Sequence, residues 1–409
     1  MPTRDLIDSP YAFGRLAVAL ALATIGACGM YIVPVVLPLV QSEFGVARAD
    51  ASMPYSALMI GFAIGGLVMG RLADRFGIMI PLLIGAVGLG AGFAAAGASG
   101  SIWTFMLAHG LLIGFLGCST LFAPLIADTT LWFVRRRGIA VAICASGNYL
   151  GGALWPGIVN HFVEDVGWRQ TYFGLAVFCV FAIALLALFM RKRPPSQAHA
   201  AVSAHVTAAA GMPFGMTPGK AQTLLCIAGV ACCVAMSMPQ VHIVAYCTDL
   251  GYGAARGAQM LSIMLGFGIV SRLVSGVICD RIGGLRTLLL GSALQGIALV
   301  LFLPFDGLVS LYVIAALFGL FQGGIVPSYA IIVREHFPAQ ETGGRVGLVL
   351  MCTLAGMALG GWMSGRIFDM TGSYHAAFVN GIAWNLLNLT IAVMLLRGAR
   401  RTHRLRVAA

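Results

Sequence analysis

Arg272 is the residue whose chemistry most needs explaining. It lies inside an apolar run, residues 258–279, eight positions before Asp280. Eight helical residues span ~12 Å, which sets Arg272 near the middle of a ~30 Å hydrocarbon layer. Burying a cation there costs at least ~2.5–3.5 kcal/mol on insertion scales, so such residues face water or a counter-charge and mark substrate paths. The planar guanidinium matches a carboxylate through two parallel hydrogen bonds. No Asp or Glu occupies the central part of any apolar run, so the carboxylate expected at Arg272 belongs to a bound organic anion. One buried positive charge favours a monoanion over a dianion.

Other polar residues share the apolar runs. His242 lies about five residues, or ~8 Å, inside the end of its run, beside Pro239 and Gln240. An imidazole titrates near neutral pH and could carry a co-transported proton. His109 is similarly deep. Asp128 stands about one and a half turns before the Arg135–Arg137 cluster, with which it is expected to pair. It is also the acid nearest a possible inner vestibule, hence a third proton-coupling candidate. Tyr31, Asn148, Tyr149, Gln240, Gln322, Ser328 and Tyr329 could orient a carboxylate or contact an organic tail, and could equally bond neighbouring backbone.

Other chemistries find no footing. The chain has no GxxxxGK[ST], HExxH or GxSxG motif, so ATP hydrolysis, a metal centre and nucleophilic catalysis are not expected. No cofactor is expected either. The ten cysteines show no CxxC spacing and sit in or beside apolar runs, as small apolar side chains do.

The elements that must position these residues are membrane spans. Of the 409 residues, 59% are hydrophobic and only 10% charged, far below the quarter typical of a soluble domain. Twelve apolar runs cover 16–40, 52–70, 78–97, 103–127, 138–160, 171–190, 222–247, 258–279, 285–304, 309–333, 344–366 and 375–396. Each can cross a bilayer as a helix, and none alternates as a barrel strand would. The first is too long for a signal peptide and lacks a small-residue cleavage site. The net charge of +11 does not point to nucleic acid, because the basic residues flank the runs. If both termini are cytoplasmic, only Arg48, Arg169, Arg256 and Arg366 fall on the outer side, and most of the other cations fall inside.

Residues 191–220 carry Ala, Pro and Gly without an apolar run and read as a cytoplasmic linker. They separate a six-span bundle at 1–190 from a second at 221–409, which ends in a basic tail. The halves echo each other. Gly70-Arg71-Leu72-Ala73-Asp74-Arg75-Phe76-Gly77 follows the second run, and Gly276-Val277-Ile278-Cys279-Asp280-Arg281-Ile282-Gly283 follows the eighth. Gly151-Gly152 in the fifth run is matched by Gly360-Gly361 in the eleventh. Parallel repeats of this kind imply two related bundles with a site at mid-depth. Asp74 is expected to face the N-terminus of the eleventh span near Arg345, where exposed N–H groups attract an anion. Asp280 is expected to face the start of the fifth span near Arg137. With Arg75 and Arg281 these would form a gate on the cytoplasmic side.

The Gly-x-Leu-Ala-Asp-Arg-x-Gly loop resembles the signature of the major facilitator superfamily, with Ile78 and Met79 standing where that family often has a basic pair. Tyr31–Gly45, Trp132–Gly152 and His242–Gly251 resemble the monocarboxylate-transporter and oxalate:formate-antiporter branch. The resemblance implies an all-α membrane protein of twelve helices in two pseudo-symmetric bundles, lined by the first, fourth, seventh and tenth spans. It implies that Arg272 binds substrate. Gly268 stands where monocarboxylate transporters often carry an Asp, and Cys352 and Thr353 lie in the span where oxalate exchangers carry a second cation. The expectation is a monomeric transporter of a small organic monocarboxylate in a bacterial inner membrane, coupled to protons. The alternatives are a carboxylate exchanger and a drug or metabolite efflux carrier.

Overall fold

The computed structural model describes residues 6–193 and 213–408, so most of the expected linker lies outside the described residues. Every regular element among the described residues is helical, and twelve spans are long and apolar enough to cross a membrane. The first joins α1 (Pro10–Gly26) to α2 (Cys28–Phe44), the second is α3 (Arg48–Phe76) and the third α4 (Met79–Gly97). The fourth begins as α5 (Ile102–Leu107) and ends as α6 (Ala123–Trp132). The fifth and sixth are α7 (Arg137–Val166) and α8 (Trp168–Phe189). Then come α9 (Pro218–Asp249), α10 (Ala254–Ile282) and α11 (Gly284–Leu301). The tenth span joins α12 (Leu308–Gln322) to α13 (Ile325–His336), and α14 (Ala339–Thr371) and α15 (Tyr374–Ala408) complete the set. Most helices run a few residues beyond their apolar runs, because helical hydrogen bonding does not stop where hydropathy falls.

Local chemistry sets the ends. Ser9 caps α1, its Oγ accepting from the Ala12 N–H at 3.3 Å, and Pro10 occupies the first turn, where no N–H is needed. Gly77 ends α3 at φ 87°, ψ 163°, and Gly283 ends α10 at φ 83°, ψ 161°. That region is open essentially only to glycine. The two loops paired by the sequence repeat thus turn in the same way.

Contacts divide the chain into two compact units, 1–205 with 241–266 and 206–240 with 267–409. Within the first unit the fifth span lies close on the first: a Cβ at Gly147 would sit 2.6 Å from Ala23 Cβ, and one at Gly151 would sit 2.6 Å from the Thr24 carbonyl. Within the second, the eleventh lies on the seventh. A Cβ at Gly356 would meet the Val230 carbonyl at 2.5 Å, and one at Gly360 the Val234 carbonyl at 2.6 Å. Such small-residue seams let helices pack without a hydrophobic driving force. Side chains such as Phe181, 72% exposed, suit contact with lipid.

Candidate functional site

The two units present different polar sites, each built on an interrupted span. In the second unit the tenth span breaks at Gly323–Gly324, between α12 and α13. The eighth span is laid into the break. A side chain on Gly323 would collide with the Gly268 carbonyl and Ser271, and one on Gly324 with Ser275. Arg272 is on this stretch of α10, half-buried and ten residues before the helix ends, or ~15 Å. Gln322 closes α12. It is fully buried, and its Oε1 accepts from Gln240 Nε2 at 3.1 Å. Arg272, Gln240 and Gln322 are therefore gathered on the seventh, eighth and tenth spans around one break.

Tyr329 belongs elsewhere. Its hydroxyl donates to Asn388 Oδ1 at 2.9 Å, and Asn388 Nδ2 donates to Ser292 Oγ at 2.7 Å. Asn385 joins through Ser292 O and Gln295 Oε1. This buried seam of neutral amides and hydroxyls was not anticipated. Its only sequence signal was amide side chains in the apolar runs of the ninth and twelfth spans.

In the first unit, Tyr31 donates to Asn148 Oδ1 at 2.7 Å, joining the first and fifth spans. Gly152 sits under the Tyr31 ring, where a Cβ would lie 2.8 Å from its edge. Tyr149 is 7% exposed and His242 fully buried. His109 is enclosed by Phe105 and Tyr172. Its Nδ1–H donates to the Phe105 carbonyl at 2.9 Å, and its Nε2 accepts from the Tyr172 hydroxyl at 3.1 Å. A carbonyl can only accept, so this neutral tautomer satisfies both ring nitrogens.

Asp128 does not pair with the Arg135–Arg137 cluster as expected. It takes both its hydrogen bonds from Arg15 of α1, Nε to Oδ2 and Nη2 to Oδ1, each 3.0 Å. The backbone N–H groups of Val134 and Arg135 donate instead to Asp8. A second bidentate pair, Arg48 to Asp249 at 3.0 and 3.1 Å, links the start of the second span to the end of the seventh. Asp74 and Arg75 are exposed, as are Asp280 and Arg281. Arg345 bonds Glu341 at 2.6 Å and stacks on Phe337. The side chain of Arg137 lies outside the described residues.

Twelve apolar spans in two sequence-related halves, with polar groups held inside each bundle, define a polytopic membrane transporter rather than an enzyme. The model of the Major Facilitator Superfamily matches residues 19–311 and 273–408, and the chain belongs to that family. It is 27% identical over 376 residues to the MFS-type transporter opdF of Penicillium oxalicum, covering 88% of this chain and 85% of that one. It is also 27% identical to monocarboxylate transporter 13 of Rattus norvegicus over 84% of this chain and 78% of that one. Its fold matches the crystal structure of peptide transporter POT in complex with sulfate with a TM-score of 0.74, at 16% identity, over 96% and 95% of the two chains.

Proposed function

We propose that this transporter carries a small organic monocarboxylate by alternating access, coupled to protons, with Arg272 as the carboxylate anchor. The observation that carries the reading is Arg272 itself, an arginine about two-thirds of the way along a membrane-spanning helix, on the stretch of backbone whose Gly268, Ser271 and Ser275 lie against the glycine break of the tenth span. A charge at that depth is costly unless it serves transport. The name of the rat relative supports the same substrate class. Gln240 and Gln322 neighbour the break and would contact the rest of the substrate; Tyr31, Asn148, Tyr149 and His242 are the candidates from the first unit. His109, with both nitrogens engaged in packing, is the weaker proton carrier. Asp74, Arg75, Asp280, Arg281, Arg137 and Arg345 would gate the cytoplasmic face, an orientation with both termini inside that the distribution of basic residues supports. The setting would be a bacterial inner membrane, with the protein acting as a monomer.

The test is thermal unfolding of the purified protein in detergent against mono- and dicarboxylates, amines and sugars, with Arg272→Gln alongside. A ligand at ~100 times its Kd stabilises the folded state by ~2.7 kcal/mol. The expected result is stabilisation by monocarboxylates that disappears in the variant. Stabilisation by amines alone, or shifts that survive the substitution, would overturn the assignment.

A further inference from the structure

The fourth span changes its hydrogen-bond register along its length. After α5 comes a ten-residue π-helix, Ala108–Gly117, then a 3₁₀ turn, Cys118–Leu121, and then Phe122 at φ −133°, ψ −81°, outside any helical region. π geometry is normally confined to single turns, and these cluster at functional sites. Gly117, at φ −82°, ψ −85°, is also non-helical, so the short helix α6 joins the span through Phe122 and a 3₁₀ turn bounded by non-helical residues, and α6 carries Asp128.

The Asp128 carboxylate is 8% exposed and its partner Arg15 is 5% exposed. The guanidinium lies over the Trp132 ring, 4.5 Å from its centroid, and its Nη1 is buried without a hydrogen-bond partner. On its other side Asp128 borders a cavity of about 560 Å³ shared with Asp74, Pro124 and Arg193, and a smaller one beside Arg191–Arg193. A water occupies about 30 Å³ of liquid, so the larger cavity is roomy enough to hydrate the carboxylate. The charged and titratable groups around Asp128 are Arg15 from α1, Asp74 from α3, Cys144 from α7 and the cations that follow α8.

We propose that Asp128 is the proton-binding carboxylate of the transport cycle, loaded from this cavity; the idea rests on the proton coupling proposed above. A hydronium gives its proton to the carboxylate, leaving water and a neutral acid. Arg15 is then a buried cation without its counter-ion, a costly state. It is relieved only when water or an anion reaches Arg15, or when α6 shifts at its joint. Protonation and rearrangement are thereby linked through one pair.

Because Arg15 is stacked on Trp132, the part of the tryptophan fluorescence that Trp132→Phe removes reads the pair, apart from the other five tryptophans. The purified protein would be titrated in detergent between about pH 4 and 9, a range that brackets carboxylate and imidazole titration. Asp128→Asn and Trp132→Phe would be run beside it, each checked for monodisperse elution. The expected result is a one-proton transition in the wild type that both substitutions remove. A transition that persists in Asp128→Asn, or its absence from the wild type, overturns the proposal. Trp132→Phe keeps the carboxylate and removes only the reporting ring. If Asp128→Asn does not fold, a Trp132→Phe titration identical in midpoint and amplitude to the wild type means that Trp132 reports no transition and overturns the proposal in its place. Lactate counterflow in proteoliposomes tests the monocarboxylate reading separately. Its failure in the wild type would overturn that reading and leave the fluorescence result on Asp128 standing.

Discussion

In the first six spans the fifth helix rests on the first through Gly147 and Gly151; in the last six the eleventh rests on the seventh through Gly356 and Gly360. Gly77 and Gly283 end their helices within a few degrees of each other. The backbone framework is thus repeated. The buried polar chemistry is not. The first unit buries a full ion pair, Arg15 with Asp128, the latter on the short α6 that follows the π and 3₁₀ stretches of the fourth span. The second unit, in the tenth span, breaks at two glycines and buries a neutral network of Tyr329, Ser292, Gln295, Asn385 and Asn388. A fold can repeat its packing while function is placed in side chains that differ between the copies.

The repeated seams are tested by Gly151→Leu and Gly360→Leu. Each puts a branched side chain where even a Cβ lies within 2.6 Å of a backbone carbonyl. Both variants should lose more than about 5 kcal/mol, the exceptional end of the single-substitution range. The measurement is the monodisperse fraction after extraction. Tolerance of one substitution and not the other would break the equivalence of the two seams.

The divergent chemistry is tested at the ion pair. Arg15→Met or Asp128→Leu alone strands a buried charge and should cost about 3–5 kcal/mol, while the double variant should recover much of that loss. Unfolding by SDS titration of all four proteins closes the cycle. Additive losses would mean that the two residues do not act as a pair.

These two tests also mark what could be read from the residues alone. The spans and the repeat, with its matched Gly151-Gly152 and Gly360-Gly361, were legible, because hydropathy and local sequence echo need no partner identity. The pair of Arg15 and Asp128 was not, because its members are 113 residues apart and closer cations stood at Arg135–Arg137. Those cations follow the end of α6, and Asp8 reaches the backbone there first, so the local expectation lost to a tertiary one. The π stretch of the fourth span was equally silent, since hydropathy does not encode hydrogen-bond register. The position of Arg272 within a span was legible because a charge in an apolar run stands out whatever surrounds it.

The smallest effect sharpens the contrast between charged and neutral polar cores. Tyr329→Phe removes one hydroxyl from the second unit's network and leaves Asn388 still bonded to Ser292 Oγ. Hydrogen bonds between transmembrane helices average about 0.6 kcal/mol in double-mutant cycles, because the unfolded helices also find partners in the membrane. The same SDS titration should therefore register a loss of about 0.6 kcal/mol, several-fold below that of a broken ion pair. A loss as large as that of Asp128→Leu would mean that the network is cooperative. The neutral core of the second unit would then hold its helices as firmly as the ion pair holds those of the first.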